Sequence, residues 1–169
     1  MLVLGLDPGL AIMGYGLATG DGQDLVAVDF GVVRTGAGLA LPDRLMLLRA
    51  ELLRLLEEQR PDAAAVEKLY FANNARTAFA VGQARGVILL TLAEAGVAIA
   101  EYTPLQIKQA ATGYGQADKR QVQEMVRLLF GLDEILRPDD AADALAVCLC
   151  HLHCTRFEAA AARADAEVS

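Results

Sequence analysis

The sequence predicts an α/β fold: a five-stranded mixed β-sheet, antiparallel hairpin strands first and strand–helix units after, with helices on both faces. Two observations predict it. Hydrophobic residues follow strand-like patterns over the first 33 residues, then switch to helical spacing at Leu45, Leu48, Leu52, Leu55 and Leu56. Beyond that helix, short apolar strands alternate with longer helical segments, the mark of parallel strands joined by crossover helices.

Each element follows from local chemistry. Leu2 to Asp7 is a short buried strand closed by Pro8-Gly9. Tyr15 to Ala18 and Leu25 to Val33 form the next two strands, with Gly20-Asp21-Gly22 as the turn between them. Pro42-Asp43 opens the first helix and Arg60-Pro61-Asp62 ends it. Ala63 to Glu67 is short and apolar, as expected of a central strand covered on both faces. A helix follows from about Asn74 to Ala95, stopped by Gly96; Val97 to Tyr102 is the fifth strand. Helices then span Pro104–Ala111, Lys119–Phe130 and Asp140–Thr155. Residues 1–156 are expected to form one domain, with 157–169, rich in Ala, as a frayed tail.

Bulk properties exclude several classes. A chain of 169 residues with 54% hydrophobic content can bury a sizeable core, and a mean hydropathy of +0.33 argues against disorder. No uncharged apolar run is long enough to span a bilayer, and Met1 to Leu6 lacks the basic start of a signal peptide. Cys148, Cys150 and Cys154 are odd in number and crowd one segment, so reduced thiols in the cytoplasm are expected. His151 and His153 beside them do not complete a zinc spacing. The net charge is −7, yet Lys68 to Arg127 holds seven basic and four acidic residues, a net of +3. That stretch is the candidate nucleic-acid face, with Lys68, Arg76, Lys108, Lys119 and Arg120 as candidate DNA contacts. It also holds all three lysines of the chain; where arginine is the usual cation, a retained lysine suits a compact phosphate contact.

Four carboxylates stand where chemistry needs them. Asp7 and Glu67 each close an apolar strand, where a charge is costly unless solvated or paired. Asp140 and Asp143 are three apart on the last helix and share a face. Two like charges 4 Å apart repel by roughly 4 kcal/mol at an effective dielectric of 20, so such a cluster calls for hard divalent cations. A pair of Mg²⁺ ions could activate water on a phosphodiester and stabilise the leaving oxygen. Each residue also has a plainer role open to it. Asp7 can serve only the Asp-Pro-Gly turn, Asp139 or Asp140 can cap the helix, and Glu67 can pair with Lys68 or Arg76.

The motifs resemble those of RuvC-type Holliday junction resolvases. The opening motif is Gly5-Leu6-Asp7-Pro8-Gly9 with Gly14-Tyr15-Gly16. The second is Val66-Glu67 with Asn73-Asn74 and Gly82-Gln83-Ala84-Arg85-Gly86. The third is Ile107-Lys108-Gln109, Gly113-Tyr114-Gly115 and Ala117-Asp118-Lys119 with Gln121-Val122-Gln123. The fourth runs from Asp140 to Ala146. The likeness is collinear over about residues 1–153. It implies an RNase H-like fold and a crossover junction endodeoxyribonuclease that uses Mg²⁺ or Mn²⁺. Asp7, Glu67, Asp140 and Asp143 would be the metal ligands, with Lys108 and Lys119 as supporting cations. It further implies a homodimer on four-way junction DNA, symmetric nicking of two strands of like polarity, and a branch-migration motor complex of the RuvA and RuvB type as partner. One departure concerns the family's frequent Phe three residues after the second-motif Glu, thought to stack on a base near the cut. Here Tyr70 stands there with Phe71 next to it, and either ring can stack.

Three other functions remain open to comparison. A related RNA-processing nuclease acting on structured RNA would lack the Lys108 to Gln123 block. An actin-like ATPase needs a second domain that 169 residues do not hold. A non-enzymatic junction-binding module would not need four intact acidic positions.

Overall fold

A computed structural model describes residues 1–20, 24–68 and 75–168. The chain builds β1 (Leu2–Asp7), β2 (Ile12–Thr19), β3 (Val26–Arg34), α1 (Leu41–Gln59), β4 (Ala63–Glu67), α2 (Ala75–Glu94), β5 (Ala98–Tyr102), α3 (Pro104–Thr112), α4 (Lys119–Leu129) and α5 (Asp139–Val168). The strands lie in the order β3-β2-β1-β4-β5. β1 and β2 pair antiparallel, as do β2 and β3. β4 runs parallel to β1 and to β5. This is the expected five-stranded mixed sheet.

Alternation along the strands sends side chains to two cores. On one face, Leu4, Leu6, Met13, Leu17 and Val66 meet Leu48, Leu52 and Leu56 of α1 and Ile88 and Leu92 of α2. On the other, Val3, Ala18 and Ala65 meet Leu145, Cys148, Leu149 and Leu152 of α5, with Ile107 of α3 and Val122 and Val126 of α4 completing the layer. Burying such side chains contributes roughly 1.5–3 kcal/mol each before entropy is set against it.

The last helix does not stop where the sequence pattern predicts. α5 continues past Thr155 to Val168. Its apolar face ends near Leu152, and residues 156–163 are exposed. The alanine-rich composition that reads as a tail is also strongly helix-forming, and a helix already nucleated on the sheet can be propagated by it.

Candidate active site

The site is assembled at the end of the sheet where β1 and β4 both finish. Parallel pairing of these neighbours, with Leu6 beside Val66, brings Asp7 and Glu67 out side by side. α5 brings the other two carboxylates, and it can do so because the sheet beneath it is almost bare. A Cβ added at Gly14 would lie 2.1 Å from the carbonyl oxygen of Asp140; one at Gly5 would lie 2.2 Å from that of Ala144; one at Gly16 would lie 2.8 Å from Leu145 Cδ2. The helix backbone therefore rests on the strand backbones. Cys148 joins this contact, its thiol donating to the Gly16 carbonyl at 3.2 Å. It behaves as the small buried residue the sequence suggests.

Two capped helices supply the cations. Thr103 and Gln106 form a capping box that starts α3, and Asp118 and Gln121 form one that starts α4. Lys119 is thereby held as the first residue of α4, and Lys108 sits mid-way along α3. Both line a cavity of about 320 Å³ together with Asp7, Glu67, Asp143 and the apolar floor of Ile107 and Val122. The Gly113 turn, with φ of 73°, reverses the chain between the two helices.

The electrostatics mark the pair at the strand ends. Burial, then the charges of Glu67, Asp143 and Asp140, push the Asp7 carboxyl up to about 8. Burial and Asp143 push Glu67 up to about 7, against the pull of a hydrogen bond from Asp7. Asp143 is also raised by burial, although Lys119 works against the shift. The Lys119 ammonium lies 2.6 Å from Asp139 and 2.8 Å from Asp143. Partial burial disfavours its charge, but these hydrogen bonds outweigh that and raise its pKa.

The donor set is all carboxylate oxygen, suited to a hard divalent cation, and its excess negative charge is what such a cation would neutralise. In the present arrangement Asp143 is turned to Lys119, and among the described residues no three Asp, Glu, His or Cys side chains stand close enough to hold an ion together. The thiols and imidazoles near the C-terminal end of the sheet's helix layer offer no rival centre. His151 Nδ1 is paired with the Tyr102 hydroxyl at 2.8 Å.

Other predicted contacts sort by position. Lys68, next to Glu67, and Arg120, next to Lys119, are exposed beside the cavity. Tyr70 and Phe71 lie outside the described residues, as does the Arg76 side chain. The basic stretch is thinner than its count suggests. Arg127 pairs with Glu124 at 2.7 Å, Arg85 pairs with Glu101, and Lys119 is engaged as above. Asp139, read from sequence as a candidate helix cap, is a direct partner of Lys119. Nothing in the linear sequence pairs position 139 with position 119; only the packing of α4 beside α5 does.

The family model for crossover junction endodeoxyribonuclease RuvC matches residues 3–151. The chain belongs to the RuvC family. It is 54% identical over 153 residues to the crossover junction endodeoxyribonuclease RuvC of Desulfitobacterium hafniense (strain DSM 10664 / DCB-2), covering 90% of this chain and 93% of that one. Among solved structures it is similar to Thermus thermophilus RuvC in complex with Holliday junction substrate, with a TM-score of 0.88 and 38% identity over 94% of this chain and 96% of that one. The yeast mitochondrial Holliday junction resolvase Ydc2 shares the fold at a TM-score of 0.68 and 16% identity, covering 93% of this chain and 78% of that one. The RuvC match spans every element that builds the cavity, from β1 to the buried part of α5.

Proposed function

We propose that this protein is a structure-specific endonuclease that resolves Holliday junctions, nicking two strands of like polarity symmetrically in recombination and DNA repair. The observation that carries this reading is the cavity itself: Asp7, Glu67 and Asp143 share it with Lys108 and Lys119, in a RuvC-family chain. No finding favours structured RNA as the substrate.

RuvC nucleases are metal-dependent. In our reading Asp7, Glu67, Asp140 and Asp143 hold two Mg²⁺ ions, for which Mn²⁺ can substitute. Bound there, the ions supply Lewis acidity and an activated water for phosphodiester hydrolysis. The remaining work falls to the chain. Asp7 and Glu67, which favour protons in the absence of a cation, release them to become ligands. Lys119 exchanges Asp143 for the phosphate while Asp139 keeps its ammonium in place. Lys108 approaches from the Glu67 side. Lys68, Arg76 and Arg120 contact flanking phosphates, and Tyr70 or Phe71 stacks on a base at the cut.

Symmetric nicking needs two sites, and α2 offers the surface for a homodimer. Ala84, Ile88 and Leu92 face the sheet, whereas Gly86 opens onto empty space and Phe79 and Leu90 are largely exposed on the other side. Packing against its own sheet therefore does not account for Gly86; close approach of a second copy does. A motor complex of the RuvA and RuvB type is the expected further partner, and the cytoplasm the expected compartment. No described helix is long and apolar enough to cross a membrane.

The test is a mobile synthetic four-way junction incubated with Mg²⁺, with both cuts mapped. Paired cuts on like strands are expected from the wild type. Asp7→Asn should abolish cleavage and keep or tighten junction binding, since it removes a ligand and a charge that repels phosphate. Weakened binding with normal nicking of linear duplex would sink the reading. Gly86→Leu should yield monomers with poor junction binding; a stable dimer by sedimentation would move the interface elsewhere.

A further inference from the structure

Arg85 reaches the site from behind. It sits on α2, its side chain only 21% exposed, and it has two partners. Its Nε donates to the backbone carbonyl of Glu67 over a long 3.4 Å, and an Nη pairs with the carboxylate of Glu101 on β5. The same peptide is fixed at its other end, where the Lys68 N–H donates to the Tyr102 carbonyl at 2.7 Å. The last residue of β4 is thus gripped on both sides, just where its carboxylate must turn toward Asp7.

We propose that Arg85, braced by Glu101, is a positioning residue that fixes the backbone at Glu67 and so aims the Glu67 carboxylate into the metal site. This rests on the reading of Asp7 and Glu67 as metal ligands. The chemistry favours arginine for the task. A guanidinium presents several donors in one rigid plane, so one side chain can hold a carboxylate and a carbonyl at once. Both partners are protein groups, which removes Arg85 from the DNA-facing cations even though it lies within the basic stretch. Pairing with β5 holds the N–H side of this last peptide, and Arg85 takes the carbonyl on its other side. A half-buried ion pair spanning α2 and β5 ties that end to two neighbouring elements. The cation also lies behind the carboxylate cluster, on the side away from the cavity lining, where it can steady a ligand without competing for phosphate.

The test compares Arg85→Gln, Glu101→Gln and their double variant. Mn²⁺ binding to the protein without DNA, read by electron paramagnetic resonance, should weaken about 10-fold in Arg85→Gln, typical of losing a partner that orients a ligand. The Mg²⁺ concentration giving half-maximal junction nicking should rise by a similar factor. Junction affinity without metal should stay unchanged. Glu101→Gln should act in the same direction, and the double variant should be no worse than Arg85→Gln alone, because both act through one guanidinium. Arg85→Lys, which keeps the charge but not the planar fork, should recover only part of the loss. Unchanged Mn²⁺ binding in folded Arg85→Gln would overturn the proposal, as would a loss of metal-free junction affinity as the main effect. If Arg85→Gln does not fold, Glu101→Gln decides by the same two readouts. Glu67→Gln is the control: if it still binds Mn²⁺ and cuts normally, the ligand assignment has failed. If it is inactive while Arg85→Gln matches wild type, only the positioning role has.

Discussion

On one face of the sheet α1 and α2 lay Leu48, Leu52, Leu56, Ile88 and Leu92 against the large side chains of β1 and β2. On the other, α5 lies directly over Gly5, Gly14 and Gly16. The first contact is made by flexible side chains, which can readjust. The second is made by backbone, which cannot. The leucine face stores stability, while the glycine face sets the distance between Asp140, Asp143 and the strand-end carboxylates. A substitution on each face should therefore fail in a different way.

The largest expected effect is on the glycine face. Gly14→Ala forces the Asp140 backbone away, and displacement by about 1 Å can cost 10²-fold in rate. Single-turnover nicking should fall by at least that factor. Leu52→Ala should instead lose about 2–5 kcal/mol of stability, with a near-normal rate well below its melting temperature. Equal effects of the two on rate, measured on folded protein, would erase the distinction between the faces.

Next come the cavity lysines, Lys108 and Lys119, on the α5 face. Lys119→Ala should lower the single-turnover rate by about 10²-fold, typical of losing one donor to developing charge. Junction affinity should change little, and the salt slope should fall by about one unit or less. Arg120 follows it on α4 but points about 100° away. Arg120→Ala should mainly weaken binding. Matching rate losses would mean a diffuse basic face in place of a catalytic lysine.

The smallest effect is on stability with pH. Burial and neighbouring carboxylates raise Asp7 to about 8 and Glu67 to about 7. The folded protein thus holds protons that the unfolded chain has released, and the resulting stability is complete below the ordinary carboxylate range. It is lost as the pH climbs to about 8. The metal-free protein should melt progressively lower over that window, by about 2–4 °C for each kcal/mol lost. Asp7→Asn should flatten the slope, and Leu52→Ala should lower the curve without changing its shape. A flat profile in the wild type would mean that the carboxylates are not crowded in solution.

Much of this was legible in residue order. Strand and helix periods are local, so β1, α1 and β4 could be read directly, and carboxylates closing apolar strands are conspicuous because charge is costly there. Other features were not. Asp139 looked like a cap because its partner, Lys119, is twenty positions away. Arg85 was counted with the basic stretch but given no role of its own, because its partners, Glu101 and the Glu67 carbonyl, are distant in the chain. The end of α5 was misread because alanine is compatible with a frayed tail and with a propagated helix alike.

By itself, then, the sequence determined the α/β class, the order of the elements and the four acidic positions, since periodicity and the cost of burying charge act along the chain. Tertiary structure alone decided which of those charges meet. β1 and β4 become neighbours only by parallel pairing, and α5 reaches them only because three glycines let backbone touch backbone. Distances of that kind depend on packing between segments far apart in the chain, Asp7 and Glu67 by 60 positions and Asp7 and Asp140 by 133, and no local propensity encodes them.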